Sequence, residues 1–502
     1  MMNQIWQSLA YDGNNPMIFN SGQFLLFFLV FMLGYSLVYK HQLPKVVFIT
    51  AFSLYFYYKS SGVYVGLLFV STVVDFYLAR AIHAAQHKVV RKFWLVVSLV
   101  ANLGLLGYFK YTNFFGEIWS NLSGGNFMPL DIFLPVGISF FTFQSLSYTI
   151  DVYRGELKPI NSLLNYGFYI SFFPQLVAGP IVRARDFIPQ ITQVPHVTQA
   201  MMGRAVFLIA AGLFKKAVIS DYIGVNFVDR VFSTPLQYTG LENLFAIYGY
   251  ALQIYCDFSG YSDMAIGIAL LLGFHFPANF NAPYQARNIV DFWRRWHISL
   301  STWLRDYLYI ALGGNRKGKV RTYINLLITM LLGGLWHGAS FKFIIWGGLH
   351  GLALAAHKFY HHNKRAIWGK AIASNHTKAN TNSAIKYLNH FLGMVVTFNF
   401  VCFCWIFFRA PDLETARQII EQILWQFHPE VFVEFLSGYT HILLFMVLGY
   451  FIHFIPQPIE QYYQDNVTRW PLIAQALLLV AVIWLVVQVK SADIQPFIYY
   501  QF

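Results

Sequence analysis

The stretch PLIAQALLLVAVIWLVVQV, residues 471–489, contains no charged side chain. A helix that crosses a membrane needs about 20 consecutive, mainly apolar residues. Residues 22–39 form a second stretch of this kind, and further apolar runs follow one another along most of the chain. The sequence therefore predicts an all-α polytopic membrane protein, with about 10 to 13 transmembrane crossings plus re-entrant segments.

The amino-acid composition supports this fold class. Of the 502 residues, 57% are hydrophobic and only 11% are charged, whereas a soluble globular protein carries about 25% charged residues. The net charge of +13 raises the alternative of nucleic-acid binding. The basic residues, however, cluster in short hydrophilic stretches such as 87–92 and 316–321, as they do in the cytoplasmic loops of membrane proteins. We expect the chain to bind a lipid bilayer and not a nucleic acid.

The distribution of basic residues also predicts an orientation. The longest polar stretch, residues 357–387, is rich in Lys and His and is predicted to be a cytoplasmic loop. Three predicted crossings follow it, which places the C-terminal tail outside the cytoplasm. The apolar segments 322–337 and 341–356, which precede the loop, form a tight predicted hairpin. Residues 336–340 then occupy the turn of this hairpin, on the outer side or partway into the membrane.

Polar side chains at membrane depth are costly, and each is a functional hypothesis by default. The segment LPVGISFFTFQSLSYTIDVYRG, residues 134–155, carries Gln144 and several hydroxyl groups. These side chains give a helix a polar face that lines a tunnel. Alternatively, they form the hydrogen bonds between helices that small polar residues commonly supply.

A second polar segment is QIYCDFSGYSDMAIG, residues 253–267, in which Asp257, Ser259 and Asp263 surround Gly260. Two carboxylates within an apolar run predict a broken or kinked segment that lines a wet cavity or a substrate site. The alternative is a structural carboxylate that holds loop amides.

The third polar region extends from residue 291 to 351. Its first part is amphipathic and rich in Arg and Trp, which is typical of a membrane interface. His297 and His337 lie in this region, and a histidine in an apolar setting is either a hydrogen-bonded packing residue or a catalytic group. No metal-binding motif is present in the sequence, so no metal is expected. Three further residues are candidates for the lining of a tunnel or substrate site: Trp336, Ser340 and Arg305.

Two long motifs in this region resemble those of a known family. They are FWRRWHISLSTWLRDYLYIALGGNRKG (292–318) and LLGGLWHGASFKFIIWGGLHG (331–351). Both resemble motifs of the membrane-bound O-acyltransferases, in particular the bacterial branch of alginate O-acetylation, peptidoglycan O-acetylation and teichoic-acid D-alanylation. The resemblance covers most of the chain, and residues 134–155 and 256–274 look most like the alginate type.

The resemblance implies a ring of helices around a thin central region, with an outer funnel and a cytoplasmic tunnel. It implies a single membrane domain of residues 1–490, with core motifs in 134–356, in the bacterial inner membrane. By this resemblance His337 is the catalytic histidine and His297 is the second histidine of the site. The expected acyl donor is acetyl-CoA, with an acyl carrier protein thioester as the alternative. An imidazole can act as general base on an acceptor hydroxyl or form a transient acyl-imidazole.

The last residues, PFIYYQF (496–502), fit the pattern F-x-Y-x-x-F. By resemblance to a C-terminal motif of the teichoic-acid system, Tyr499 carries the acyl group, and Phe497 and Phe502 are the flanking motif residues. This motif lies in a predicted extracytoplasmic tail of residues 491–502. The alternative is an aromatic belt that anchors the last helix at the interface. The resemblance further implies a partner outside the cytoplasm, a Ser-His-Asp (SGNH-like) acetyltransferase, and a polysaccharide substrate.

Two other functions stay open on the sequence. The first is a different acyl acceptor, either peptidoglycan or, through D-alanylation, teichoic acid. The second is a non-enzymatic polysaccharide transporter. Inverted repeats would be expected in many transporters, and no internal repeat is evident here.

Overall fold

The structure, a computed structural model, describes residues 9–13, 16–375, 383–489 and 497–498. Every regular element in this part of the chain is a helix, and no strand occurs there. Contacts group the chain into two compact units, which are described separately. The first unit combines Met1–Val218, Asp257–Pro277 and Pro458–Phe502, and the second combines Ile219–Cys256 and Ala278–Gln457.

The helices follow one another with short connections. Up to residue 218 they are α1 (Gly22–Val38), α2 (Gln42–Ser61), α3 (Val65–Ala84), α4 (Lys88–Leu106), α5 (Thr112–Ser123), α6 (Ile138–Arg154), α7 (Leu163–Ser171), α8 (Phe173–Leu176), α9 (Ala184–Ile191) and α10 (Gln199–Leu213). From residue 219 onward they are α11 (Asp221–Ile223), α12 (Asp229–Ser233), α13 (Gly240–Leu271), α14 (Ile289–Arg295), α15 (Ile298–Trp303), α16 (Lys319–His337), α17 (Phe341–Asn375), α18 (Ser383–Arg409), α19 (Leu413–Trp425), α20 (Phe432–Gly438), α21 (Thr440–Phe454), α22 (Gln457–Arg469) and α23 (Leu472–Val489). Turns of π-helix lie at Gly107–Tyr111, Phe214–Ser220, Gly224–Val228 and Leu304–Tyr309.

Several of these helices qualify as membrane spans by length and composition. Four described segments are long and apolar enough to cross a bilayer: Gln42–Ala84, Lys88–Ser123, Tyr387–Arg409 and Leu472–Val489. The segments Pro429–Gly438 and Thr440–Phe454, bent by 92° relative to each other, make a fifth if they form one broken span. The chain is therefore an all-α, multi-pass membrane protein. The larger number of crossings expected from the sequence stays a prediction.

The described part of the predicted cytoplasmic loop at residues 357–387 is helical and not irregular, and its cytoplasmic location stays a prediction. Helix α17 continues to Asn375, and α18 begins at Ser383. Lys, Arg and Ala all have high intrinsic helix propensity. The polar composition of this stretch therefore does not end the helix at the point where the apolar run ends.

The broken or kinked segment predicted around Gly260 is not broken, because α13 is continuous from Gly240 to Leu271. Gly260 serves a close helix contact instead. A Cβ atom at this position would lie 2.7 Å from the carbonyl oxygen of Gly212 and 3.2 Å from the backbone nitrogen of Lys216. Small residues at such crossings allow two helix backbones to touch.

A buried carboxylate, Asp75 of α3, joins helices of the first unit. Ser98 of α4 donates through Oγ to Asp75 Oδ1 over 2.8 Å, and Asn102 Nδ2 lies 2.9 Å from each carboxylate oxygen. Ser98 Oγ also lies 3.3 Å from Thr149 Oγ1 on α6. The polar face of α6 thus takes part in hydrogen bonding between helices, as the alternative interpretation of this segment expects.

The predicted hairpin in the second unit is confirmed as α16 and α17. Helix α16 ends at His337 and α17 begins at Phe341. The connection is therefore shorter than the predicted turn, because Trp336 and His337 are the last two residues of α16. Only residues 338–340 connect the two helices.

Candidate active site

Close packing of the hairpin fixes the position of His337. A Cβ atom on Gly334 would lie 2.1 Å from the carbonyl oxygen of Phe343, and one on Gly338 would lie 2.0 Å from the Phe343 ring. No side chain larger than glycine fits at either position without movement of the backbone or the ring. The end of α16 is therefore held directly against the start of α17, and His337, at 4% exposure, is buried at this junction.

Aromatic rings surround the imidazole of His337. Its centroid lies 4.9 Å from that of Trp336, 5.0 Å from that of Trp346 and 5.2 Å from that of Phe408, and all three rings are nearly perpendicular to it. Edge-to-face contacts of this kind are favourable and directional. Trp336 also contacts the second histidine, with 6.3 Å between its ring centroid and that of His297. Trp336 is thus an aromatic neighbour of both histidines.

The backbone of His297 has an unusual conformation. With φ of 40° and ψ of 57°, this residue lies in the left-handed region, directly before α15. Few residues other than glycine adopt this conformation, although histidine does so more often than most. The side chain is fully buried. The turn therefore directs the imidazole inward instead of continuing the chain as a helix.

Asn279 determines the tautomer of His297. Asn279 Oδ1 lies 3.2 Å from His297 Nδ1, and it accepts hydrogen bonds from Ser299 through the backbone N–H over 3.2 Å and the hydroxyl over 2.8 Å. A backbone N–H can only donate, so the Asn279 atom that faces it is the oxygen and not the amide nitrogen. The Nδ1 atom of His297 must then carry the proton that it shares with Oδ1. In the neutral ring, the lone pair is on Nε2.

A cavity of about 660 Å³ lies in the second unit, between α14, α15, α16 and α17. Its lining includes Ile298, which directly follows His297, and Thr329 and Met330 of α16. Met330 precedes His337 by about two helical turns, roughly 10 Å along the axis. The same hairpin thus carries a wall of the cavity and the buried histidine.

Apolar, neutral polar and basic side chains line this cavity, and none of its described lining residues is acidic. Because its charged groups are all basic, it is called the basic cavity below. Lys358 Nζ donates to Asn315 Oδ1 over 2.5 Å, which places the ammonium group at the wall. Arg305 also lines the cavity, and its Nε lies 2.7 Å from Asp306 Oδ1. The basic and imidazole side chains of the lining are Arg294, Arg305, His357, Lys358, His361 and His362.

Ser340 lies in the connection between α16 and α17 and is half-buried. Its backbone N–H donates to the carbonyl of Gly338 over 3.0 Å, and its carbonyl accepts from Phe343 over 3.2 Å. These bonds shape the turn next to His337.

Within the described ranges, no group of three or more His, Cys, Asp or Glu side chains is arranged to hold a metal ion.

The remaining predicted site residues belong to the first unit. Asp257 pairs with Lys216 over 2.6 Å, and Asp263 pairs with Lys215 over 2.7 Å. Ser259 is buried between them on α13. Both carboxylates of this segment are thus ion-paired.

Gln144 is 1% exposed on α6, and its Oε1 has no hydrogen-bond partner among the described residues. Of the C-terminal motif, Phe497 is described and is 1% exposed. Tyr499 and Phe502 lie outside the described residues.

The family described as MBOAT, membrane-bound O-acyltransferase family, matches residues 138–403, which is more than half of the chain. The chain belongs to the membrane-bound O-acyltransferase family. The matched span contains Asn279, His297, His337 and the whole lining of the basic cavity. It ends well before Phe497.

Individual relatives within the family are similar over most of the chain. The chain is 40% identical over 461 residues to "Probable alginate O-acetylase AlgI" of Pseudomonas aeruginosa, covering 88% of this chain and 83% of that protein. It is 37% identical over 441 residues to the peptidoglycan O-acetyltransferase of Helicobacter pylori, with coverage of 81% and 79%. It is 30% identical over 312 residues to the teichoic acid D-alanyltransferase of Bacillus subtilis, with coverage of 59% and 74%. As a membrane-bound O-acyltransferase, the protein is an enzyme and not a non-enzymatic transporter.

Proposed function

We propose that this enzyme is an O-acetyltransferase of the bacterial inner membrane. It takes acetyl from acetyl-CoA on the cytoplasmic side and passes it across the membrane for O-acetylation of an exported or cell-surface polysaccharide, such as an alginate-like polymer. The observation that carries the proposal is the placement of His337 and of the basic cavity on one tightly packed hairpin.

The basic cavity supports a coenzyme A thioester as the donor. Its volume of about 660 Å³ falls within the range of small-molecule pockets, roughly 300–1,000 Å³. Coenzyme A carries several phosphate groups, which Arg and Lys bind through charge-assisted hydrogen bonds. Arg294, Arg305 and Lys358 supply such groups, and no described lining residue would repel the phosphates. An acyl carrier protein thioester is the alternative donor, since it carries the acyl group on the same phosphopantetheine arm without the phosphorylated adenosine of coenzyme A.

The proposed reaction is transfer of an acyl group from sulfur to oxygen. The hydroxyl oxygen of the acceptor attacks the carbonyl carbon of the thioester, so a C–O bond forms and the C–S bond breaks. His337 accepts the hydroxyl proton as general base, and the departing thiolate takes up a proton to leave as a free thiol. An acyl-imidazole on His337 is the alternative route. His297 offers Nε2 as a second proton acceptor next to Trp336.

Tyr499 is the proposed first acceptor, in an extracytoplasmic tail of residues 491–502 that follows a membrane domain of residues 1–490. Phe497 and Phe502 flank it in the F-x-Y-x-x-F motif. An SGNH-like Ser-His-Asp partner outside the cytoplasm then moves the acetyl group from the tyrosine to the polysaccharide. The relatives named for alginate and for peptidoglycan O-acetylation support a polysaccharide as final acceptor.

Peptidoglycan is the second candidate for the final acceptor. The relative named peptidoglycan O-acetyltransferase is 37% identical, nearly as similar as the alginate-type relative at 40%. D-alanylation of teichoic acid is less well supported, since that relative is 30% identical and covers only 59% of the chain. Isolation of the partner protein and identification of its acetylated product distinguish these polymers.

Radiolabelled acetyl-CoA and the purified protein test the mechanism. His337→Ala is expected to abolish acyl transfer, and His441→Ala, at an exposed histidine of α21, is expected to leave it intact. Tyr499→Phe should remove label from the chain, whereas its matched control Tyr500→Phe should retain it. Transfer that persists in His337→Ala contradicts the role of His337. Label that persists in Tyr499→Phe contradicts the role of the tyrosine.

A further inference from the structure

A buried ion pair lies in the first unit, outside the histidine site. Lys216 Nζ is 2.6 Å from Asp257 Oδ1, and the two side chains are only 3% and 4% exposed. Removal of both charges from water is costly, and apolar residues often replace such a pair without loss of stability. Stability alone is therefore a weak explanation for this pair.

The second oxygen of the same carboxylate bonds to a distant part of the chain. Asp257 Oδ2 accepts a hydrogen bond from the backbone N–H of Ile498 over 2.9 Å, although 241 positions separate the two residues. Hydrogen bonds to an ionised acceptor are stronger than those between neutral groups. Asp257 thus joins Lys216 to the backbone of the C-terminal segment.

The side chain that precedes this amide is held by aromatic rings. Phe497 is 1% exposed, and its ring centroid lies 4.8 Å from that of Tyr261 and 5.5 Å from that of Phe258. Phe258 and Tyr261 are three positions apart on α13, so they lie on one face of the helix. Asp257, next to them in sequence, presents its carboxylate to the following residue of the tail.

We propose that Asp257, Phe258 and Tyr261 form a docking site for an aromatic peptide, and that its occupant is the chain's own segment Phe497–Ile498. The site recognises two features together, an aromatic ring and the main-chain N–H of the next residue. Lys216 holds the carboxylate in position for this bond.

The docking site determines which residues of the C-terminal segment are held against α13. With the ring of Phe497 and the amide of Ile498 both bound, the first residue beyond the anchor is at position 499. The consequence for catalysis rests on the proposed function, because it matters only if Tyr499 carries the acyl group. The docking itself does not depend on that role.

Hydrogen–deuterium exchange on the full-length protein in detergent measures the bond directly, through a C-terminal peptide that contains Ile498. The double variant Asp257→Leu, Lys216→Met removes the acceptor and leaves no unpaired buried charge. We expect exchange of the Ile498 amide to become about tenfold faster or more, because a charge-assisted hydrogen bond is lost. Phe497→Ala retains the ion pair and is expected to accelerate exchange of the same amide. If the double variant does not fold, Phe497→Ala alone tests the docking site.

The matched control is the neighbouring pair, in the double variant Asp263→Leu, Lys215→Met. This pair joins the same two segments over 2.7 Å, but the Ile498 amide donates to Asp257. Wild-type exchange is expected in the control. Unchanged exchange in Phe497→Ala and in the Asp257 variant would overturn the docking site, and so would equal acceleration in the control.

This readout separates the docking site from the proposed chemistry. Faster exchange in the variants, together with label that persists in Tyr499→Phe, would support the docking site and contradict the acyl-carrier role of Tyr499. Unchanged exchange, together with loss of label in Tyr499→Phe, would support the acyl-carrier role and contradict the docking site.

Discussion

Asn279 Oδ1 lies 3.2 Å from His297 Nδ1, and the backbone N–H of Ser299 donates to the same oxygen. Because the backbone group can only donate, the amide must present its oxygen, and the histidine must present a protonated Nδ1. Asn279 is therefore a positioning residue that leaves the lone pair of His297 on Nε2. It does so from 18 positions earlier in the chain.

Substitution of Asn279 tests whether this tautomer matters. Asn279→Leu removes the acceptor and should lower kcat by about 10- to 100-fold, less than the ~100- to 10,000-fold typical of a general acid–base group itself, because Asn279 acts through the histidine. Asn279→Asp retains an acceptor but adds a negative charge, which stabilises the protonated imidazole. Because a base must be unprotonated to act, the acid limb of the pH–rate profile should move to higher pH in Asn279→Asp. Steady-state assays across pH measure both effects.

Ser299→Ala is the control for this prediction. It removes the hydroxyl but retains the backbone N–H that orients the Asn279 amide. We expect only a few-fold loss of kcat, on the scale of one neutral hydrogen bond. If Asn279→Leu has wild-type kcat and an unchanged pH profile, Asn279 has no part in catalysis.

Two adjacent glycines of α17 give opposite predictions for stability. A Cβ atom on Gly347 would lie 2.2 Å from the carbonyl oxygen of Met330, whereas the nearest atom to one on Gly348 is the Leu331 Cδ2 at 3.5 Å. Gly347→Ala should therefore destabilise the fold by about 1–3 kcal/mol through overpacking. Gly348→Ala should leave the melting temperature unchanged or raise it, since alanine is the better helix former. Equal melting temperatures for the two variants would contradict the close contact of α16 and α17.

Lys358 is expected to bind the donor and not the reacting atoms. Lys358→Ala should raise KM for acetyl-CoA by about tenfold, which corresponds to one charge-assisted hydrogen bond. The effect on kcat should be smaller, because the lost contact is with the carrier in both ground and transition states. Arg417→Ala, which breaks exposed ion pairs with Glu414 and Glu421, is the control with unchanged KM. An unaltered KM in Lys358→Ala would remove this lysine from the donor site.

The carboxylate of Asp75 is expected to serve the fold alone. Asp75→Ala leaves the donors of Ser98 and Asn102 without their buried acceptor, at a stability loss of about 1–3 kcal/mol. The melting temperature should fall, while the specific activity of the folded protein should stay unchanged. Asp465→Ala, at an exposed position of α22, is the matched control for both measurements. If Asp75→Ala instead loses activity while its melting temperature stays unchanged, Asp75 and its hydrogen-bond partners belong to the active site.

The sequence was sufficient for the fold class. It also singled out both histidines, because each lies in a continuous motif, and their roles in the site stay predictions. It was not sufficient for Asn279, whose role depends on the left-handed turn at His297 that no local pattern specifies. The bond between Asp257 and Ile498 spans 241 positions, and residue types alone do not indicate which carboxylate receives which amide. Composition likewise predicted a loop where α17 continues as a helix, since it reports exposure and not backbone conformation.

The left-handed backbone of His297 has a consequence for protein engineering. A residue other than glycine in this region carries about 1–3 kcal/mol of strain, and glycine adopts the same conformation without it. His297→Gly would relieve this strain, but it would also empty the buried space of the imidazole and remove the hydrogen bond to Asn279. We therefore expect it to lower the melting temperature and to abolish acyl transfer. Relief of backbone strain at this turn is therefore not a route to a more heat-tolerant enzyme, and stabilising substitutions are better sought away from the two histidines.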